Sequence, residues 1–151
     1  MLVLIDSEGR FVREMDGLAT SQDGTIVPVG YRTSDKLFVY EFSTPYLYKI
    51  SQPQVVIFNG SETDAMAMWT ALQATKQMIN KKTLPYPFLG LGKNSNSIAS
   101  TLINTIGCQE RNIPEGGWAP GTGELLLTQA EMMQVRRDHK VPACELAPRL
   151  V

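Results

Sequence analysis

Histidine is almost missing from this chain: His139 is the only one. Most nucleophilic sites need a histidine base, so that scarcity narrows the catalytic options at once. Cysteine is nearly as rare. Cys108 and Cys144 show no Cys-x-x-Cys spacing and have no histidine cluster beside them, so neither a metal site nor a cofactor is expected. Two cysteines make no disulfide framework, and read as free thiols they fit a reducing compartment. Charge of either sign is scant, with 14 basic residues against 15 acidic and a net charge of −1. The one dense basic run, Arg136-Arg137-Asp138-His139-Lys140, is too short for a nucleic-acid footprint, and no nucleic-acid partner is expected. No apolar run approaches the roughly 18 residues of a membrane span. Met1 to Ile5 is too short for a signal peptide and meets Asp6 at once. That start fits cytoplasmic residence or export by a signal-independent route.

What is present is an ordinary globular composition, 43% hydrophobic over 151 residues, which fits one domain spanning 1–151. The first sixty residues read as strands. Residues 2–15 suggest a hairpin around Asp6-Ser7-Glu8-Gly9, and Asp16-Gly17 and Gln22-Asp23-Gly24 read as further turns. Pro28 marks residues 25–29 as an edge strand or a bulge. Residues 37–42, 46–50 and 54–58 are rich in aromatic and β-branched side chains, and each is expected to be a strand. Then the period changes. Ser61-Glu62-Thr63-Asp64 resembles a capping box, and Ala65, Met68, Trp69, Leu72 and Ile79 trace a helical stripe over about 61–80. A second helix is expected over about 95–107, closed by Gly107, and a third over about 129–138 behind Thr128-Gln129-Ala130-Glu131. An irregular tail follows from about 141. Strands first and helices after make an α+β fold, an antiparallel sheet packed against two main helices.

The stretch that draws most attention is Tyr86-Pro87-Phe88-Leu89-Gly90-Leu91-Gly92-Lys93-Asn94-Ser95-Asn96-Ser97. A rigid Pro/Gly loop delivers four short polar side chains to a helix start, where caps form, anions bind and nucleophiles are held. Gly92-Lys93 is not a phosphate loop, because Pro87 stands where its first glycine belongs and Asn94 where Ser or Thr should hold magnesium. Capping is the simplest use of Asn94, Ser95, Asn96 and Ser97. The alternative is a site in which these residues, with Lys93 and the loop residue Trp118, bind a peptide, glycan or anion.

Asn94-Ser95-Asn96-Ser97-Ile98-Ala99 resembles the Asn-Cys-Asn and Asn-Cys-Glu motifs of permuted papain-like hydrolases, the lecithin:retinol acyltransferase-like and desumoylating-isopeptidase-like enzymes. The longer Tyr-Pro-Phe form resembles bacterial toxin- and effector-associated domains carrying Asn-Ser-Asn-Ser. The resemblance implies a papain-like fold with strands before the nucleophile helix. It also implies cleavage of an amide or ester bond in a peptide, glycan or lipid ester. It places Ser95 where those enzymes carry the nucleophile. Their base is a histidine on an early strand, and this chain has none before His139, whose Arg-Arg-Asp-His-Lys setting reads as a solvated helix end. The expectation is a hydrolase-type effector domain, degenerate or cut short of its histidine. Its alternative is a non-catalytic binding module.

Overall fold

The computed structural model describes residues 1–28, 30–113 and 119–144. Strands β1 (Leu2–Ile5) and β2 (Phe11–Thr20) form the expected hairpin. Asp6 closes its turn by accepting the Glu8 and Arg10 N–H groups. β3 (Ile26–Val27) pairs with the end of β2, and β4 (Lys36–Phe42) runs antiparallel along β2 from Glu14↔Phe42 to Thr20↔Lys36. β2 is therefore the middle of a four-stranded antiparallel sheet.

Asp16-Gly17 is not the turn its composition suggests, because β2 runs straight through it. A Cβ on Gly17 would fall 2.6 Å from Ile98 Cδ1, so the glycine is there to let a helix lie close on the sheet. Residues 46–50 and 54–58 are also not strands, despite their β-rich composition. The N–H groups of Tyr46, Leu47 and Tyr48 go to the Glu14 carboxylate at 2.8, 2.7 and 3.1 Å rather than to a neighbouring strand.

The helices follow the sequence closely. α1 (Glu62–Lys81) starts at Ser61, whose hydroxyl accepts the Asp64 N–H. A one-turn 3-10 helix (Phe88–Gly90) leads into α2 (Ser95–Thr105), which Gly107 leaves at φ +75°. α3 (Gln129–Asp138) opens on the Thr128/Glu131 capping box. Leu125-Leu126-Leu127 forms no strand, and Leu126 and Leu127 are core residues.

Met15, Leu37 and Val39 of the sheet meet Met68, Trp69, Leu72 and Ile79 of α1, Ile98 and Leu102 of α2, and Met132 and Val135 of α3. Trp69 belongs to this core, as its helical spacing predicts, and its indole N–H donates to Glu41 at 2.8 Å. Leu102 is fully buried. Leu102→Ala is expected to lower unfolding free energy by about 3 kcal/mol, read as a shifted urea midpoint at unchanged slope.

Three tethers complete the frame. Asn80 uses its amide like a short strand, accepting the Val39 N–H at 2.8 Å and donating to the Val39 carbonyl at 3.0 Å. Arg136 donates to the Thr105 and Asn104 carbonyls and caps the C-terminal end of α2. Cys108 and Cys144 form a disulfide across 36 residues, so the reading as free thiols does not hold. The sequence pattern could not reveal it, because the fold brings α2's end and the chain after α3 together. Residues 141–144 are irregular, as expected, and the rest of the expected tail lies outside the described residues.

Candidate functional site

The polar start of α2 is committed to the protein itself. Asn94 and Ser97 are buried and reciprocally capped: the Asn94 N–H donates to Ser97 Oγ at 3.1 Å, and Asn94 Oδ1 accepts the Asn96 N–H at 2.8 Å. Asn94 Nδ2 donates to the Gly90 and Pro120 carbonyls, Asn96 Nδ2 also donates to Pro120, and Ser97 Oγ donates to the Gly121 carbonyl at 2.9 Å. The rail continues along the helix. Ser100 accepts the Gly123 N–H at 2.9 Å, and buried Thr101 accepts the Leu126 N–H at 3.0 Å. One face of α2 therefore satisfies the backbone of the 120–126 segment, as buried polar groups require. Capping and loop fastening together account for Asn94, Asn96 and Ser97.

Ser95 is half-buried, and its nearest hydrogen-bonding side chain is Tyr86, with the two hydroxyl oxygens 3.5 Å apart. Among the described residues no imidazole or carboxylate hydrogen-bonds to it. His139 caps α3, its N–H donating to the Val135 carbonyl, as its helix-end setting predicts. Lys93 is exposed and makes no ion pair with a described residue. Trp118 lies outside the described residues. Also among the described residues, no group of His, Cys, Asp and Glu could hold a metal ion.

The larger opportunity lies on the other flank of α2. A cavity of about 830 Å³ is bounded by Met1–Ile5, residues 52–60, α1, α2 and residues 110–113. Leu2, Leu4, Ile57, Phe58, Met68 and Trp69 supply its apolar walls, and Ala99 and Ile103 its α2 side. That volume is in the range of ligand pockets. β1 pairs with β2 on one edge only, and no described backbone group bonds the other. Residues 53–58, across the cavity, likewise make no backbone–backbone hydrogen bond among the described residues.

On the sheet's opposite face, Glu14 and Asp16 are 0% and 1% exposed. Their spacing in β2 suggests a solvated pair, yet they sit mid-strand beneath the 46–48 segment. No protein donor reaches either Asp16 oxygen among the described residues, and Glu14, two residues away on the same face of β2, is the carboxyl with which Asp16 can share a proton. Burial, followed by Glu14's hydrogen bond and charge, pushes Asp16 up to about 7 against the pull of the Met1 ammonium. Burial alone would also raise Glu14. The Asp16 hydrogen bond and the three N–H groups of Tyr46, Leu47 and Tyr48 outweigh it and hold Glu14 below the usual carboxylate range.

No protein-family model, curated protein or solved structure matches the chain. The sequence pattern does not reveal the cavity, and it reads Glu14 and Asp16 as a solvated strand-end pair where the structure buries both. A long β-rich run at 54–58 without a ladder was one available signal. Two acids two residues apart inside an apolar strand, and so on one face, was the other.

Proposed function

We propose that this chain is a non-catalytic binding module that takes an extended, apolar peptide segment into the cavity beside β1. The observation that carries the reading is the pairing of an apolar cavity with an unpaired strand edge on its wall. An extended peptide would satisfy that edge through its own backbone, and alternate side chains would enter the apolar walls. The peptide class matches the binding-module alternative read from the sequence, with the site moved from α2's N-terminus to its flank. The hydrolase reading has less support, because Ser95 hydrogen-bonds to no base among the described residues.

The test is selection from a displayed library of extended peptides, followed by hydrogen exchange and a cavity-filling variant. Selected peptides are expected to alternate apolar residues and to slow amide exchange in β1. Ala99→Trp, which fills the α2 wall, is expected to weaken them at least about tenfold, or about 1.4 kcal/mol, with the melting temperature preserved. Peptides that bind Ala99→Trp equally well, or that protect only amides away from β1, would overturn the reading.

A further inference from the structure

We propose that Glu14 and Asp16 are a proton-operated latch: a proton shared between them fastens the 46–48 segment to the sheet, and its loss loosens the cavity wall that this segment leads into. The inference rests on the peptide-binding reading only for its effect on ligand; the latch itself stands on the acid pair. Among the described residues, Glu14 alone accepts the three consecutive backbone N–H groups of Tyr46, Leu47 and Tyr48. Directly downstream, Tyr48 and residues 52–60 line the cavity. With the proton present, Asp16 donates to Glu14, and the pair carries one buried negative charge held by the three N–H donors. When base removes the proton, two buried carboxylates share one face of β2, with the Met1 ammonium as the nearby countercharge and, among the described residues, no donor hydrogen-bonded to Asp16. Relief comes from water entering under the segment.

Asp16 does not titrate alone. The Met1 ammonium approaches from β1 and favours the ionised form of Asp16, though burial of Asp16 outweighs it, and burial of the ammonium lowers Met1 from its ordinary 8.0 against the pull of the two carboxyls. Tyr40 lies opposite on β4, with its hydroxyl bonded to Thr20 at 2.7 Å. The covering segment brings two further phenols. Tyr46 stacks on Phe42, with ring centroids 4.4 Å apart, and Tyr48 on Phe11 at 5.8 Å. Tyr48 also lines the cavity, so movement of the segment reaches the cavity wall through it.

The sign follows from the two shifts. The stability due to Asp16 is complete below its ordinary 3.8 and is lost as pH rises through about 7. Glu14 works in the opposite sense, contributing above its ordinary 4.5 and losing that contribution on acidification. The latch is closed at mildly acidic pH and opens through neutrality.

The experiment is an NMR titration from mildly acidic to alkaline pH on the full chain and on Asp16→Asn, following the Asp16 carboxyl carbon and the Tyr46, Leu47 and Tyr48 amides. The carboxyl and the three amides are expected to titrate together near the value given above, and the protection of the amides, relative to their intrinsic base-catalysed exchange, to fall on the alkaline side. In Asp16→Asn, whose amide donates permanently to Glu14, the three amides should stay flat. The same samples are titrated with one peptide from the library selection, and its affinity for the native chain is expected to fall at least about fivefold on the alkaline side. A carboxyl that titrates in the ordinary range, or amides that move equally in Asp16→Asn, would overturn the latch. The wild-type carboxyl decides this even if the variant fails to fold. Amides that titrate while affinity stays constant would overturn the coupling to the cavity. Failure to select any peptide would overturn the binding reading, with the latch then judged on the amides.

Discussion

Removing the Cys108–Cys144 disulfide is expected to lower unfolding free energy by about 3–4 kcal/mol. The bond closes a 36-residue loop, and restricting the unfolded chain over that length gives the estimate. Among the described residues after α3, the other ties are at Val141, which packs against the core and whose N–H donates to the Arg136 carbonyl. Cys144 Sγ lies 3.4 Å from the Ile57 carbonyl, so the tether also braces the segment that walls the cavity. The check is urea unfolding of the native chain with and without a dithiol reductant, and of Cys108→Ala/Cys144→Ala. Reductant and double substitution should give the same lowered midpoint, with a melting temperature about 10 °C lower. An unchanged midpoint in reductant would mean that the two thiols are not joined in solution.

Gly121→Ala should do comparable damage by a different route. Gly121 has φ +82°, and a Cβ there would lie 2.7 Å from both Asn94 Oδ1 and the Gly92 carbonyl, and 2.8 Å from Ser97 Oγ. The left-handed backbone costs an alanine about 1 kcal/mol. The collision adds about 1–3 kcal/mol, because the atoms met are backbone and a doubly bonded cap that cannot swing aside. Gly123 provides the control: its φ is +81°, and nothing lies within 4 Å of its would-be Cβ. Gly123→Ala should show the backbone cost alone. Calorimetry on both variants separates the two contributions. Equal losses would show that the Asn94–Ser97 clamp is not as tight as described.

How much of this was legible depended on distance along the chain. The three helices were readable because their signals are local. Ser61 with Asp64, Asn94 with Ser97 and Thr128 with Glu131 each sit three residues apart and cap as such pairs do. The sequence offered all four of Asn94 to Ser97 as caps or as a binding or catalytic site, and the structure uses Asn94 and Ser97 as the capping pair. The sequence could not show that their remaining hydrogen bonds go to Pro120 and Gly121, 24 to 26 residues away. The segment 46–48 has strand composition, but Glu14 took its N–H groups from 32 to 34 residues upstream. Asp16-Gly17 carries turn composition, yet Gly17 serves the approach of Ile98. In each case a tertiary partner overrode local preference.

Asn80 gives the sheet a valence. An exposed strand edge invites another strand, and two such edges per molecule would allow indefinite end-to-end growth. On β4 the edge is stopped. Asn80 occupies both hydrogen-bonding groups of Val39, and Leu37 donates to the Leu84 carbonyl, while neither partner continues as a strand. On β1 no described backbone group bonds the outer edge. Under the peptide-binding proposal, strand addition is expected at β1 and not at Val39 of β4, and self-association through β1 would end at a pair instead of a fibre.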